Sequence, residues 1–148
     1  MSLIELLNQP LKGDELIELL EMHDAVVTYH YDRCHENLPD SYSTQIAELG
    51  LELTFDEHQK LGTIFITVAE VDVTVAFDGE ITPFASIHEA IEFAERERLP
   101  FRQGRSELLG IPRAWIRIQH PNHFVHYEYQ PDRLARISLT SRDIYATG

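Results

Sequence analysis

Three histidines near the end of the chain have a regular spacing that could serve a metal site or acid–base chemistry. His120, His123 and His126 follow one another at intervals of three residues. Imidazole nitrogens bind zinc, and they exchange protons near neutral pH. A strand, turn and strand at this point would not bring three side chains together, as the i, i+4 spacing of a helical zinc motif does. We therefore interpret them as exposed hairpin histidines and expect neither a metal site nor a cofactor. Metal binding and pH sensing remain alternative hypotheses.

A second cluster combines Cys34 with Asp32 and His35 in the polar segment DRCHENLPDSYS. A cysteine nucleophile requires a base and a third group that orients the base. The sequence shows no such third group, so we predict a plain loop. The sequence contains no GxGxxG, P-loop, GxSxG or CxxC motif. Its many carboxylate pairs are typical of solvated surfaces. We therefore expect no catalytic residues and do not expect an enzyme.

Net charge is the most informative bulk property of this chain. The 148 residues include 25 acidic and 12 basic side chains, which give a net charge of −13. A field of this sign repels nucleic acid and anionic membranes, so we expect neither as a direct partner. The lone cysteine favours a reducing compartment, and no signal peptide or membrane span is recognisable, so we predict a cytoplasmic protein.

The charges are distributed unevenly along the chain. Residues 1–95 carry 20 acids and three bases, whereas residues 96–148 carry nine arginines and five acids. Arginine pairs well with carboxylates, so part of this asymmetry could be neutralised when the two halves pack together. We expect the first two thirds to contribute an acidic face. Such a face can serve either partner binding or simple solubility.

Apolar spacing and capping signals place these residues on elements. Ser2 with Glu5, and Ser86 with Glu89, have capping-box spacing, and Asp14 is a predicted N-cap. Leu16, Leu19 and Leu20 form the apolar side of the second helix. The predicted elements are a short helix ended by Pro10, a helix over 14–23, strands over 25–31, 49–55, 61–68 and 71–77, a helix over 86–97, a helical turn at 106–109, and strands over 114–120, 123–130 and 133–140.

These elements predict the α+β class. We expect one domain over residues 1–148, built on an antiparallel sheet of about five to six strands. The N-terminal helices and one further helix are predicted to pack on one face of that sheet.

Four stretches of the sequence together resemble a known module. They are GLELTFDEHQKLGTIFI from Gly50, the F-D-G turn at Phe77 to Gly79, RSELLGIP at Arg105 to Pro112, and HYEYQPDRLARISL from His126. This series resembles a small α+β module of bacterial immunity proteins, the intracellular antidotes of polymorphic, contact-delivered or type VI secreted toxins. The resemblance covers roughly residues 48–140, and its motifs are structural rather than catalytic.

The resemblance implies a stoichiometric inhibitor that occludes a cognate toxin. The sequence leaves the oligomeric state open between monomer and homodimer. The acidic face could steer it toward a basic cleft. Alternatives are a phage or mobile-element inhibitor that mimics nucleic acid, and a small-ligand or metal-binding domain. The predicted partner contacts are all carboxylates: Asp14, Glu15, Glu18 and Glu21 on the second helix, Asp32, Glu36 and Asp40 in the loop, and Asp56 and Glu57 in the hairpin.

Overall fold

Alternating apolar residues in the middle and late parts of the chain build an antiparallel sheet. The computed structural model describes residues 2–31 and 37–141. The strands are β1 (Thr28–His30), β2 (Ser41–Ile46), β3 (Leu51–Phe55), β4 (Leu61–Thr67), β5 (Phe101–Leu108), β6 (Ile111–Gln119), β7 (His123–Tyr129) and β8 (Leu134–Ser141). Within the described residues the sheet thus has eight strands, in the order β1-β2-β3-β4-β8-β7-β6-β5.

The pairing of β4 with β8 joins the two halves of the chain at the centre of the sheet. One row of paired residues crosses β3, β4, β8, β7 and β6 on the side that we call the inner face: Leu53, Ile64, Leu139, Val125 and Ile118. These side chains are buried and belong to the hydrophobic core. The alternating residues form the opposite, outer face, where the corresponding row is Glu52, Phe65, Ser138, His126 and Arg117.

The helices are short. They are α1 (Leu3–Leu6), α2 (Asp14–Met22), α3 (Val73–Ala76) and α4 (Ile87–Arg96), with 3-10 turns at Ala47–Leu49 and Val68–Glu70. The predicted capping serines are confirmed, because Ser2 Oγ accepts from Glu5 N at 3.2 Å and Ser86 Oγ accepts from Glu89 N at 3.2 Å. The prediction of Asp14 as an N-cap is wrong, because Asp14 is the first residue of α2 and the N-cap is Gly13.

The helices cover the inner face. Leu3 and Leu16 from the first two helices, and Ala90 and Ala94 from α4, lie in the same buried cluster as the inner-face residues.

Two buried tyrosines of β7 attach the segment before α4 to the sheet. The Tyr127 hydroxyl donates to the Thr82 carbonyl at 3.0 Å, and the Tyr129 hydroxyl donates to the Phe84 carbonyl at 2.9 Å. These bonds satisfy polar groups that burial would otherwise leave without partners.

The prediction of a strand over 71–77 is wrong. Asp72 caps a short helix here, since its Oδ1 accepts from Val75 N at 3.2 Å. Val73 and Phe77 are buried, whereas Val75 is 73% exposed. Residues 73 and 77 have i, i+4 spacing, so the valine alternation fits a helical face as well as a strand.

The prediction of a helical turn at 106–109 is also wrong. These residues belong to the end of β5 and to its hairpin with β6, in which Leu108 pairs with Ile111. Leu109 and Gly110 have φ values of +53° and +80°. Positive φ at both central residues is the geometry of a tight hairpin turn, which explains the glycine before Pro112 without a helix end.

The prediction of a sheet with five to six strands is also wrong, because two strands were not foreseen in full. The start of Ser41–Ile46 is predicted as loop because its composition, SYSTQI, is polar, yet residues 42–46 pair with β3 and Ser41 pairs with His30 of β1. Phe101–Leu108 is another unforeseen strand. The coarser expectation is confirmed: the fold mixes helices with an antiparallel sheet. Among the described residues, no helix has the length and apolar character needed to cross a bilayer.

Candidate functional site

Four of the predicted contact residues lie together on α2. Asp14, Glu15, Glu18 and Glu21 are exposed there, while the leucines of the same helix are buried. A groove of about 300 Å³ separates α1 from α2. It is lined by Ser2, Glu5, Leu6, Glu15, Glu18, Leu19 and Met22. We call it the acidic groove.

The acidic groove combines apolar and charged groups. Leu6 and Leu19 are buried and provide its apolar floor, and Met22 is 69% exposed. Glu5, Glu15 and Glu18 are exposed at its rim. An apolar centre with a polar rim is the usual arrangement of a protein–protein contact.

The other predicted carboxylates have different surroundings. Asp40 accepts a hydrogen bond from the Tyr29 hydroxyl at 2.7 Å, which raises the pKa of Tyr29. Asp56 Oδ1 accepts from the His58 and Lys60 backbone amides at 2.9 and 3.0 Å, so it shapes the β3–β4 turn. Glu57 lies exposed in the same turn, with Oε1 3.5 Å from His58 Nε2. Asp32 and Glu36, like Cys34 and His35, lie outside the described residues.

The prediction of three exposed hairpin histidines is wrong: His123 is buried, His120 and His126 are half-buried, and the three are divided between the two faces of the sheet. His120 and His123 stack with their ring centroids 4.6 Å apart and line a pocket of about 230 Å³ beside α1 and α4. His126 lies on the outer face, stacked on Trp115 with the centroids 5.4 Å apart. Among the described residues, no three histidine, cysteine or carboxylate side chains form a group that could hold a metal ion.

The polar groups of the histidine pocket differ in their hydrogen bonding: Glu80 has several partners, whereas one nitrogen of His123 has none among the described residues. Glu80 Oε1 accepts from Leu3 N at 2.8 Å and Ile4 N at 3.1 Å, and Oε2 accepts from the Ser2 hydroxyl, so this carboxylate caps α1. Burial lowers the pKa of His120 and His123, and for His123 the charge of His120 acts in the same direction while Glu80 opposes it. His123 Nε2 is buried without a hydrogen-bond partner among the described residues.

The outer face carries a layer of planar side chains that was not predicted from the sequence. The Arg136 guanidinium lies 3.9 Å from the centroid of Phe65, and that of Arg117 lies 5.1 Å from the centroid of Phe124. Together with the Trp115–His126 stack, these contacts cover aromatic rings with cationic or titratable groups. We call these six residues, together with Arg102 on β5, the arginine layer.

The strand register brings charged members of the arginine layer next to one another. Arg102 is directly opposite Arg117, which is directly opposite His126. The pKa of His126 is lowered, first by burial and further by the charges of Arg117 and Arg136, while Glu128 acts in the opposite sense. Trp115, Arg117 and Gln119 alternate with buried residues, so the sequence indicates that these three side chains share a face. The rings and charges that they contact on other strands could not be predicted, because these contacts depend on the strand order.

Comparison of the chain with protein-family models, with curated proteins and with solved structures finds no match.

Proposed function

We propose that this chain is an immunity protein that binds a cognate toxin domain and neutralises it by stoichiometric occlusion. The acidic groove and the neighbouring carboxylates of Asp14 and Glu21 form the contact surface. The sequence stretches that resemble immunity modules support the class of protein. The composition of the groove supports the mode of binding.

The observation that carries this proposal is the apolar floor of the acidic groove beneath its charged rim. Binding energy at protein interfaces is concentrated in a few buried anchors, which neighbouring groups shield from water. Leu19 and the exposed Met22 provide apolar area for such anchors. Methionine is flexible and polarisable, so it adapts to the surface of a partner.

The carboxylates at the rim provide the second part of the mechanism. Enzymes that act on nucleic acid or nucleotides attract their substrates with basic clefts. A carboxylate-rich surface is attracted to the same clefts and competes for them. Long-range attraction raises the association rate, and the apolar contact then slows dissociation. An antidote benefits from both because it must act before the toxin does damage.

A co-expression experiment tests the proposed function. Neighbouring genes are searched for a protein with a secretion module, its C-terminal domain is expressed in a bacterial host with or without the chain, and growth and complex formation are measured. We expect growth to be restored and the two proteins to elute as a complex with equal numbers of each. If the chain neither binds this domain nor restores growth, the proposed function is wrong.

A further inference from the structure

Strand β5 leaves one long edge of the sheet open. It is the last strand in the sheet order, and among the described strands only β6 pairs with it. All eight of its residues are half-buried or exposed, whereas β1, at the opposite end of the sheet, has three residues. An open edge presents unpaired N–H and C=O groups, and proteins usually keep such edges short or cover them. β5 is therefore the place at which a further strand can be added to this sheet.

The pairing with β6 identifies the backbone groups that face the open edge. The residues on either side of the two-residue turn between these strands form a hydrogen-bonded pair, and such pairs alternate along an antiparallel ladder. Glu107 then lies in a non-hydrogen-bonded pair with Pro112, in agreement with the missing N–H of proline. At the other end of the ladder, Gln119 N donates to the Pro100 carbonyl at 2.8 Å, as the alternation requires. The amides and carbonyls that point away from β6 are therefore those of residues 101, 103, 105 and 107.

The side chains along this edge are complementary to those of a second copy. Arg105 and Glu107 lie two residues apart on one side of β5, and both are exposed. Among the described residues, neither side chain has an ion-pair or hydrogen-bond partner. When two copies pair antiparallel about a two-fold axis at Ser106, Arg105 of each copy lies directly opposite Glu107 of the other. The backbone groups of these two residues face the open edge, so the same register also forms hydrogen-bonded pairs.

The same register brings apolar groups together on the other side of the strand. Leu108 is 49% exposed, and in this register it lies opposite Gly104 of the second copy. The indole of Trp115 lies against that glycine, at a distance that leaves no room for a Cβ atom. Directly opposed aromatic and aliphatic groups stabilise a pair of strands. The leucine therefore gains an apolar neighbour that the single chain does not provide.

The net charge of −13 does not prevent this contact, because most of that charge lies elsewhere. Residues 86–141, which form α4 and β5–β8, carry eight arginines and seven carboxylates, whereas residues 1–85 carry three bases and 17 acids. The strands of the acidic part begin at β4, four strands away from β5, which is about 19 Å at the usual strand spacing. This distance exceeds the Debye length of about 8 Å at physiological ionic strength. Two copies that meet at β5 therefore present nearly neutral surfaces to each other.

We propose that β5 pairs with β5 of a second copy of this chain, so that two sheets join into one across a two-fold axis at Ser106. Arg105 and Glu107 set the register, and the open backbone groups of the same residues supply the hydrogen bonds. The overlap is short, so the dissociation constant is expected between about 10 µM and 1 mM. This inference goes beyond toxin neutralisation and applies whether or not the acidic groove binds a toxin.

The first test measures association of the whole chain and the protection of its edge amides. Sedimentation equilibrium from about 1 µM to 1 mM should show a monomer–dimer equilibrium. The amides of Arg105 and Glu107 should exchange more slowly with solvent as the concentration rises. Those of Ser106 and Leu108, which bond to β6, should be protected at every concentration. A chain that stays monomeric over this range, or a dimer in which residues 105 and 107 exchange as fast as in the monomer, would overturn the proposal.

Charge reversal separates local pairing from the effect of net charge. R105E and E107R should each weaken association about tenfold, because each places like charges directly opposite one another at two symmetric positions. E107R changes the net charge from −13 to −11, so net charge alone would strengthen association. R105E/E107R exchanges the two charges and should restore the wild-type dissociation constant within about twofold.

The matched control is R133E, which makes the same charge change as R105E at an exposed position in the turn between β7 and β8. It should leave the dissociation constant within about twofold. Equal weakening by R133E and R105E, or no recovery in R105E/E107R, would show that Arg105 and Glu107 do not face each other and would overturn the proposal. The amide exchange of the wild-type chain decides the matter even if a variant folds poorly.

Discussion

The indole of Trp115 on β6 lies across the backbone of Gly104 on β5. The two residues are directly paired, and a Cβ added at residue 104 would lie 2.6 Å from the indole Nε1. This approach requires a residue without a side chain. Gly104 therefore allows the indole to lie flat and stack on His126.

Gly104→Ala should lower the free energy of unfolding by about 1–3 kcal/mol, because the indole must move and the Trp115–His126 stack is disturbed. Chemical denaturation and the tryptophan fluorescence spectrum measure the two effects. Ser106→Ala, two residues further along the same edge strand, is the control and should change stability by less than about 0.5 kcal/mol. A stable Gly104→Ala variant with an unchanged spectrum would show that the contact is not tight.

Glu80→Ala should release the start of α1. The carboxylate of Glu80 accepts from the Leu3 and Ile4 amides, so its loss leaves two donors without a partner. We expect a loss of about 1–2 kcal/mol in the free energy of unfolding and faster hydrogen exchange at these two amides. Glu70→Ala, in the exposed 3-10 turn after β4, is the matched control. Equal exchange rates in both variants would contradict this role of Glu80.

Stability should fall as the pH drops below neutrality. Burial lowers the pKa of His120 and His123 in the folded protein, so the unfolded chain binds protons first. The free energy of unfolding should therefore be greatest above the ordinary histidine pKa of about 6.5 and decrease as the pH falls through it, until the folded-state pKa is passed.

The H120Q/H123Q variant should reduce this pH dependence, and H58Q/H88Q, which replaces two exposed histidines, should retain it. Denaturation curves between about pH 7.5 and 5.5 provide the comparison, above the range in which most carboxylates titrate. Identical slopes in the two double variants would exclude the stacked pair as the cause.

If the chain neutralises a toxin as proposed, removal of charge at the acidic groove should slow formation of that complex. E15Q/E18Q should lower the association rate constant about tenfold at low salt, because steering depends on charges near the contact. E92Q/E95Q removes the same charge from α4 and should have a much smaller effect. Stopped-flow or biosensor kinetics at two salt concentrations give both rates. If the two variants associate equally slowly, net charge rather than the groove governs the encounter.

Local signals in the sequence predicted much of the helical layer. The hydroxyls of Ser2 and Ser86 cap helices where the capping boxes indicated, and the leucines of α2 face the core. Period-two alternation was reliable for β3. It failed at 71–77, where the apolar residues form a short helix. In that helix Val73 and Phe77, four residues apart, are the ones that are buried.

The acidic groove and the arginine layer differ in how far the sequence could predict them. The carboxylates of α2 lie on one helix, so its amphipathic pattern already indicated an exposed acidic surface. Phe65 and Arg136 are far apart in the chain and become neighbours through the pairing of β4 with β8. The uneven charge along the chain indicated that part of it could be neutralised internally, but not that Arg117 and Arg136 lie on aromatic rings.

The central β4–β8 pairing also affects how the chain folds while it is being translated. β4 emerges early, but its partner strand, Leu134–Ser141, is translated after the other seven described strands. Until then one long edge of β4, with the buried residues Ile64 and Ile66, has no hydrogen-bonding neighbour. An unpaired apolar strand edge can aggregate with other chains. The nascent chain is therefore prone to aggregation until β8 has been translated, and a chaperone that covers β4 would prevent it.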